Sequence, residues 1–198
     1  PTVNAGTDKT IFQCTPTQYC FPVTSSDPDN NIDSVRLISG PGTLAAGQIC
    51  YTPAASGQTT FIVKAFDHCG LTAVDTVRIT VQLNAPPICS MPNDTTKFFQ
   101  CAPTQVSLPV SATDPNGNFS HCQITSGPGS LVGGNWVYTP SGSQTVKVVI
   151  QCLDSCNASC VDSFYVKFTQ NLPPVANAGH DTTFFLCGSG QVYVPVSC

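Results

Sequence analysis

The chain has 198 residues, a formal net charge of −4 and 9% charged residues, far below the roughly 25% of an ordinary soluble protein. Its seven lysines and arginines form no cluster, so it lacks the positive face that nucleic acid or an anionic membrane surface requires. No apolar run approaches the roughly 18 residues of a membrane span, which argues against membrane insertion.

The composition favours an all-β fold. All eleven acidic residues are aspartate and there is one methionine, so common helix formers are scarce. Seventeen prolines and fifteen glycines supply frequent turns. Seven short strands are predicted in the first half, near 2–5, 9–13, 18–24, 34–39, 48–52, 59–66 and 73–82. In the last of these, Val77, Ile79 and Val81 alternate with polar residues, which indicates one buried and one wet face.

Short segments recur at an offset of 87 residues, so the chain is a tandem repeat. Four segments show the offset: Phe12-Gln13-Cys14 and Phe99-Gln100-Cys101, Ser39-Gly40-Pro41-Gly42 and Ser126-Gly127-Pro128-Gly129, Tyr51-Thr52-Pro53 and Tyr138-Thr139-Pro140, and Asp67-x-Cys69 and Asp154-x-Cys156. A third copy begins where Asn4-Ala5-Gly6-x-Asp8 reappears as Asn177-Ala178-Gly179-x-Asp181.

The predicted domains are two full repeats, 1–86 and 87–173, and 174–198 as the opening strands of an incomplete third. Seven short strands per repeat are typical of an immunoglobulin-like β-sandwich. Proline pairs at 86–87 and 173–174 favour stiff connections, so we expect the sandwiches to stand end to end. For the third repeat, we expect a sequence cut from a longer protein rather than completion by a neighbouring chain.

The opening motif Pro174-x-x-Asn177-Ala178-Gly179-x-Asp181 resembles that of PKD-type, immunoglobulin-like repeats in microbial cell-surface proteins. The segments Asp67-x-Cys69-Gly70 and Asp75-Thr76-Val77 also resemble such repeats from large secreted bacterial proteins. The resemblance implies an extracellular structural or adhesive spacer without catalytic residues. The second repeat departs from it, with Cys89-Ser90-Met91-Pro92 in place of the Asn-Ala-Gly motif.

Twelve cysteines indicate an oxidising, extracellular compartment. The alternative is a metal site, but Cys152, Cys156 and Cys160 are spaced by four, unlike the close pairs of zinc sites. We therefore expect disulfides.

Cysteines that are present in one repeat and absent together from the other are predicted to be bonded to each other. Cys20 and Cys50 align with Ser107 and Val137, so a Cys20–Cys50 bridge is predicted. The second repeat gains four other cysteines: Cys89, Cys122, Cys152 and Cys160. Because strands C and F adjoin in this fold, Cys122–Cys152 is the first choice, which leaves Cys89–Cys160; a Cys152–Cys160 hairpin bridge is the rival.

Cys14 and Cys69 persist in both repeats, as Cys101 and Cys156. We expect each pair to close within its own repeat. However, Cys14 follows an early strand and Cys69 lies in the last turn, which are opposite ends of a simple sandwich. A bridge between successive repeats, such as Cys14–Cys156, is the alternative, because a disulfide needs α-carbons within about 7 Å.

Oxygen-bearing side chains gather in two loops of each repeat, and these loops share one end of a sandwich. They are Asp27, Asp29, Asn31 and Asp67 in the first repeat, and Asp114, Asn116, Asn118 and Asp154 in the second. Calcium takes six to eight oxygen ligands, so a calcium ion that stiffens the domain junction is one hypothesis, and the arrangement resembles cadherin-like repeats. The other is that these residues only shape turns. No other cofactor is expected.

No nucleophile, base and metal constellation of an enzyme is present, so no catalysis is expected. The predicted function is a structural repeat segment of an extracellular fibre, filament or surface stalk. Its partners would be neighbouring repeats or copies of the same protein. The alternative is a cell-surface adhesin or glycan-binding module with calcium-stiffened junctions. Trp136 could stack on a sugar ring in such a module, but we expect it to pack in the core or at the surface.

Overall fold

The computed structural model describes residues 1–196; residues 197–198, the end of the predicted third repeat, lie outside it. The described residues form eighteen strands and no helix, which confirms the all-β prediction. Within that range, no helix is long and apolar enough to cross a membrane.

The first nine strands belong to the predicted first repeat. They are β1 (Thr2–Asn4), β2 (Lys9–Gln13), β3 (Tyr19–Pro22), β4 (Thr24–Ser26), β5 (Ile32–Ser39), β6 (Thr43–Ala45), β7 (Gln48–Tyr51), β8 (Gly57–Asp67) and β9 (Thr72–Leu83). A four-stranded sheet has the order β2-β9-β8-β5, a three-stranded sheet the order β3-β7-β6, and β1 pairs with β4. The pairing of β2 with β9 is parallel.

The next nine strands repeat this order. They are β10 (Ile88–Ser90), β11 (Thr95–Phe99), β12 (Val106–Pro109), β13 (Ser111–Thr113), β14 (Phe119–Ser126), β15 (Ser130–Val132), β16 (Asn135–Tyr138), β17 (Gln144–Asp154) and β18 (Ser159–Gln170). Their sheets are β11-β18-β17-β14, β12-β16-β15 and β10-β13, the same topology strand for strand. The two repeats thus build the same fold.

Seven strands per repeat were predicted and nine are observed. The predicted strand at 18–24 divides, because β3 pairs with β7 while β4 pairs with β1. At the division, the Val23 amide donates to the carbonyl oxygen of Gly47 (2.8 Å) instead of continuing a ladder. The short strand β6 (Thr43–Ala45) was not predicted, since three residues are too few for a recognisable alternation.

Alternating apolar residues of both sheets build each core. The prediction for Val77, Ile79 and Val81 is confirmed, since all three are at most 2% exposed. They pack with residues from β3, β7 and β8: Phe21, Ile49, Tyr51, Phe61 and Val63. In the second repeat the buried residues include Val106, Leu108, Trp136, Val148, Phe164 and Phe168.

The recurring opening motif ties the start of the chain to β9. The carboxylate of Asp8 accepts a hydrogen bond from the Arg78 amide, and that of Asp75 accepts one from the Ala5 amide, each at 2.8 Å. In the second repeat, the carboxylate of Asp94 accepts from the Tyr165 amide at the same distance. These aspartates therefore accept hydrogen bonds from backbone amides where the chain enters each sheet.

Glycine is required in the Ser-Gly-Pro-Gly turns. Gly42 and Gly127 have positive φ, and a β-carbon on either would lie 2.3 Å from a backbone oxygen of the neighbouring strand. No side chain fits so close an approach, which accounts for the recurrence of this turn in both repeats.

Residues 171–196 contain no strand, so the predicted opening strands of a third repeat are not formed. In the first two repeats, the corresponding early strands pair with later strands of the same repeat, as β2 does with β9 and β3 with β7. Among the described residues no later strand of the third copy is present to pair with them, and an unpaired strand is not stable alone.

The chain divides into two compact units. Of the described residues, the first contains 1–89, 112–122 and 151–161, and the second contains 90–111, 123–150 and 162–196. The first unit therefore includes the loops at 114–118 and 154–158, which hold four of the eight predicted calcium ligands. The domain boundaries at 86–87 and 173–174 stay predictions.

Candidate functional site

A buried aspartate ends the long penultimate strand of each repeat and folds the turn after it. Asp67 is the last residue of β8 and 7% exposed. Its Oδ1 accepts hydrogen bonds from the amides of Cys69 (2.9 Å) and Leu71 (2.8 Å). The Asp67 amide in turn donates to the carbonyl oxygen of Leu71 (3.1 Å). One carboxylate oxygen thus fixes the backbone that carries the Cys69 thiol.

The second repeat builds the same turn around Asp154, which ends β17 and is 2% exposed. Its Oδ1 accepts from the amides of Cys156 (2.8 Å) and Ala158 (2.9 Å). Local sequence differs here, with Asn157 at positive φ where the first repeat has Gly70. The carboxylate and the cysteine two residues later are what the two turns share.

A second loop contacts the sulfur atom of each of these two cysteines. Asn31 Nδ2 lies 3.7 Å from Cys69 Sγ, and Asn118 Nδ2 lies 3.7 Å from Cys156 Sγ. These asparagines stand at the end of loops folded by Asp27 and Asp114, whose Oδ1 atoms each accept the amide two residues on (2.8 Å). The predicted oxygen-rich residues therefore do come together in pairs of loops, one pair per repeat. We call them the first Asx cluster (Asp27, Asp29, Asn31, Asp67, Cys69) and the second Asx cluster (Asp114, Asn116, Asn118, Asp154, Cys156).

The segment that leaves β9 contacts the second Asx cluster. The Asn84 side chain donates through Nδ2 to Asp154 Oδ2 (2.6 Å) and accepts through Oδ1 from Asn118 Nδ2 (2.8 Å). The next residue, Ala85, donates its amide to Asn116 Oδ1 (2.7 Å). Three side chains of the cluster are thus engaged by two consecutive residues that come from the first repeat.

Burial and hydrogen bonding oppose each other at Asp154. Burial alone pushes the pKa of this carboxyl upward, because it disfavours the charged form. The hydrogen bonds from Asn84, Ala158 and Cys156 outweigh burial and hold the pKa of Asp154 below its ordinary value. The carboxylate is therefore charged near neutral pH, and Asn84 contributes to keeping it so.

A disulfide joins the end of β2 to the second Asx cluster. Cys14 follows β2 directly and is bonded to Cys156, with α-carbons 5.3 Å apart. This is the pairing between successive repeats that the sequence left as the alternative. Asn84 leaves the sheet beside Cys14, since its amide donates to the carbonyl oxygen of Gln13 (2.9 Å). The disulfide and the Asn84 contacts therefore hold the same two segments together.

The expected closure of Cys14 with Cys69, and of Cys101 with Cys156, is wrong in this structure. Cys69 and Cys101 are free and exposed among the described residues, as is Cys187. The reason lies in the length of β9. Cys69 is in the turn before Thr72, whereas Cys14 stands beside Leu83 at the far end of the strand. Eleven residue steps of roughly 3.3 Å separate these ends, far beyond the reach of a disulfide.

The other three disulfides join the residues whose coordinated appearance the sequence revealed: Cys20–Cys50, Cys122–Cys152 and Cys89–Cys160. Cys20 and Cys50 are direct cross-strand partners of β3 and β7. The sulfur atoms of Cys89, Cys152 and Cys160 lie within 4.8 Å of one another, the one such group of three cysteine, histidine or acidic side chains found in residues 1–196. Because all three sulfurs are in disulfides, this group does not offer thiolates to a metal.

Several oxygens of the Asx clusters are left without a partner. Buried side-chain atoms that make no hydrogen bond in the described part of the chain are Asn31 Oδ1, Tyr51 Oη, Asp114 Oδ2 and Asn118 Oδ1. Three of these four belong to residues predicted as calcium ligands. In the first cluster, Asp27 Oδ2 lies 2.7 Å from the amino group of Pro1, which lowers the pKa of Asp27.

Sequence reasoning missed Asn84 and Ala85, the residues that engage the second cluster. A signal was present, because Asn84-x-Pro86-Pro87 recurs as Asn171-x-Pro173-Pro174. The proline pair was interpreted as a linker, and the asparagine before it was not assigned a role. A repeated polar residue at a domain boundary is a candidate for a contact with the neighbouring domain.

Trp136 does not form a sugar-stacking platform. It is 0% exposed, packs edge-on against Phe164 with ring centroids 5.5 Å apart, and donates through Nε1 to the carbonyl oxygen of Pro128 (2.8 Å). It is a core residue of the second repeat.

The fold is shared with solved extracellular domains. The chain is similar to protocadherin gamma B7 extracellular cadherin domains 1–4, with a TM-score of 0.53 and 13% identity over 86% of this chain and 51% of that one. It is also similar to protocadherin gamma B2 extracellular cadherin domains 1–5, with a TM-score of 0.50 and 15% identity over 86% and 40%. The chain thus spans about half the length of the first structure. These likenesses support the immunoglobulin-like β-sandwich fold. No protein-family model and no curated protein sequence matches the chain.

We predict that Asn84→Ala destabilises the chain in a pH-dependent way. The folded-state pKa of Asp154 lies below its unfolded value, so its contribution is present above the ordinary aspartate pKa, about 3.9, and is lost as pH falls through the folded-state pKa. Removing the Asn84 hydrogen bond should therefore lower the thermal unfolding midpoint at pH 7, and the difference from wild type should shrink below about pH 4.

The matched control is Asn171→Ala, which changes the equivalent, exposed asparagine of the second repeat. It should leave the midpoint unchanged at both pH values. A difference for Asn84→Ala that is the same at pH 7 and pH 3 would show that Asn84 does not act through the Asp154 carboxylate.

Proposed function

We propose that this chain is a structural segment of an extracellular fibre, filament or surface stalk, built from immunoglobulin-like repeats and without catalysis. The observation that carries the proposal is the Cys14–Cys156 disulfide, which joins residues of two successive repeats. This bond adds a second covalent connection between the repeats beside the proline linker, so a mechanical load can pass through both.

The hydrogen bonds around the disulfide support the same function. Asn84 and Ala85 engage three side chains of the second Asx cluster, so the chain is held to the next repeat at several points. A flexible linker between independent binding modules would need no such contacts. Solenoids and other tandem arrays owe much of their stability to interfaces between neighbouring repeats.

An extracellular location agrees with this role. Four disulfides require an oxidising compartment, and the similar solved structures are extracellular cadherin domains. The finer identification, a PKD-type repeat of a microbial cell-surface protein, rests on the opening motif. That motif has a structural role in this fold, since Asp8 caps the entry of the chain into its sheet.

Electron microscopy of native extracellular material tests this function. Antibody against the 198-residue chain, detected with gold particles in negative stain, should label extended filaments or stalks at regular intervals. Regular spacing is expected because successive copies of the chain along a filament would place the epitope periodically. Labelled material consisting of compact particles without any extended element would contradict the structural role.

The orphaned oxygens favour calcium-stiffened repeats as a second candidate function. Asp114 Oδ2 and Asn118 Oδ1 are buried in the second Asx cluster without a hydrogen bond among the described residues. An unpaired buried carboxylate oxygen is costly, and a bound cation would relieve that cost. Residues of the cluster that would hold calcium are Asp114, Asn118 and Asp154; the ion would neutralise their charge and stiffen the loops. Asn31 Oδ1, similarly orphaned, would serve in the first cluster.

This candidate predicts a calcium-dependent thermal midpoint. If the site binds with the sub-millimolar affinity of extracellular modules, about 2 mM calcium should raise the midpoint by roughly 4 °C relative to excess chelator. Asp114→Asn should abolish most of that rise and leave the midpoint in chelator unchanged or higher, because it removes an unpaired buried charge. Asp162→Asn, an exposed aspartate of β18, is the control and should keep the full rise. An unchanged wild-type midpoint would exclude calcium.

A further inference from the structure

The second repeat places two disulfides side by side. Cys122–Cys152 joins β14 to β17, and Cys89–Cys160 joins β10 to β18. The Cys152 sulfur lies within 4.8 Å of both sulfurs of the Cys89–Cys160 bond. A thiolate opens a disulfide by direct attack on one of its sulfurs, so this short separation is the first requirement for exchange between the two bonds. All of these cysteines lie in the first compact unit.

The backbone also allows the Cys152–Cys160 pairing that the sequence left as the rival. Strands β17 and β18 are neighbours in their sheet. The residues at the same places in the first repeat, Ala65 and Ala73, are direct cross-strand partners. Direct cross-strand partners do form a disulfide in this chain, between β3 and β7. The observed pairing and its rival are therefore one exchange apart.

Exposure decides where a thiol from solution enters the Cys122–Cys152 bond. Cys152 is 0% exposed, whereas Cys122 is half-buried on β14, an edge strand of its sheet. Since an attacking thiolate must contact the sulfur that it binds, it reaches this bond at Cys122, and Cys152 becomes the leaving group. The released Cys152 thiolate then lies beside the second disulfide.

We propose that the second repeat is a thiol–disulfide exchange site, which binds a thiol covalently at Cys122 and releases the thiol of Cys89. The molecules that it takes are thiols, such as glutathione or an accessible cysteine of another protein. This activity goes beyond the structural function. The first repeat cannot share it, because the corresponding residues there are valine and alanine: Val3, Val35, Ala65 and Ala73.

The exchange has two steps, each of which forms one sulfur–sulfur bond and breaks another. First, the thiolate of the incoming molecule attacks the Cys122 sulfur, forms a mixed disulfide and expels the Cys152 thiolate. Second, the Cys152 thiolate attacks the Cys160 sulfur, forms Cys152–Cys160 and expels the Cys89 thiolate, which takes up the proton that the incoming thiol lost. The number of disulfide bonds is unchanged, so no oxidant or reductant besides the incoming thiol is needed.

The exchange loosens the first strand of the second repeat. Strand β10 has three residues and pairs with β13, which also has three. The Cys89–Cys160 bond ties β10 to β18 in the main sheet. Without that bond, the strand pairing of β10 is a short two-stranded ribbon, which is marginally stable at best in water. Covalent binding of a thiol at Cys122 is thereby coupled to release of the segment that follows Pro86-Pro87.

A Cys122→Val variant tests the second step by itself. Valine stands at the same place in the first repeat, as Val35, and packs against the core there. The variant carries the Cys152 thiol without its partner. N-ethylmaleimide is added to the folded chain, remaining thiols are labelled with the deuterated reagent in denaturant, and tryptic peptides are mapped without reduction. We expect the first label on peptide 79–97, which contains Cys89, and a Cys152–Cys160 bond within peptide 148–167.

The matched control adds Cys152→Ala, again the residue of the first repeat. It has no thiol beside the Cys89–Cys160 bond, so peptide 79–97 should stay bonded to 148–167 and unlabelled. In the single variant, label on Cys152 beside an intact Cys89–Cys160 bond would overturn the proposal. Label on Cys160 with Cys89 bonded to Cys152 would also overturn it, because Cys89 would not be the thiol released.

The unaltered chain tests entry at Cys122. Its free thiols are blocked with N-ethylmaleimide, the excess is removed, glutathione is added briefly, and new thiols are labelled with the deuterated reagent. We expect glutathione on peptide 98–147, which contains Cys122 and the blocked Cys101, together with deuterated label on Cys89. Glutathione on Cys89 or Cys160 beside an intact Cys122–Cys152 bond would show direct attack on the second disulfide and contradict the proposal.

Discussion

The buried carboxylate that ends the penultimate strand of each repeat is the constraint on which the junction depends. In Asp67 and Asp154, one oxygen folds the following turn, and that turn presents a cysteine two residues later in a fixed position. The other oxygen of Asp154 receives Asn84 from the first repeat. The Asp154 side chain thus shapes the loop, positions the Cys156 sulfur and binds the incoming segment. Its low exposure strengthens each of these hydrogen bonds, because competing water is excluded.

Much of the fold could be predicted from the sequence, since β-strand alternation and repetition are local signals. The buried face of β9 and most strand positions followed from the spacing of residues such as Val77 and Ile79. The division of the strand at Val23 did not, because it depends on which sheet each half joins. Pairing across a fold is a property of the whole topology, and the local pattern of apolar residues does not encode it.

Among the disulfides, too, some pairings could be predicted from the sequence and others depend on the fold. Cys20 and Cys50 vanish together in the second repeat, so their pairing could be read from the sequence. Cys14 and Cys69 persist together, and persistence does not distinguish a bond within a repeat from one between repeats. The length of β9 decides the matter, because it places these two cysteines far apart. The role of Asn84 escaped prediction for a related reason, since its partner Asp154 is seventy residues away along the chain.

Each repeat contains two sets of residues that can form one contact with a neighbouring repeat. Each presents a cysteine and an asparagine where its sheet ends, and an aspartate, an asparagine and a cysteine in its loop cluster. Inside the chain one such connection is closed by Cys14 and Cys156. Such a recurring contact suits the structural role that we propose, because one kind of contact can serve at every junction.

Peptide mapping without reduction tests the central claim, that successive repeats are covalently joined. Free thiols are first blocked with N-ethylmaleimide, and trypsin then cleaves after lysine and arginine. Cys69 falls in peptide 65–78, Cys14 in 10–36 and Cys156 in 148–167. The structure predicts that peptide 65–78 is recovered alone and blocked, and that 10–36 and 148–167 are found in one linked product. Peptide 65–78 linked to 10–36, with no bond between peptides of the first and second repeats, would contradict the claim.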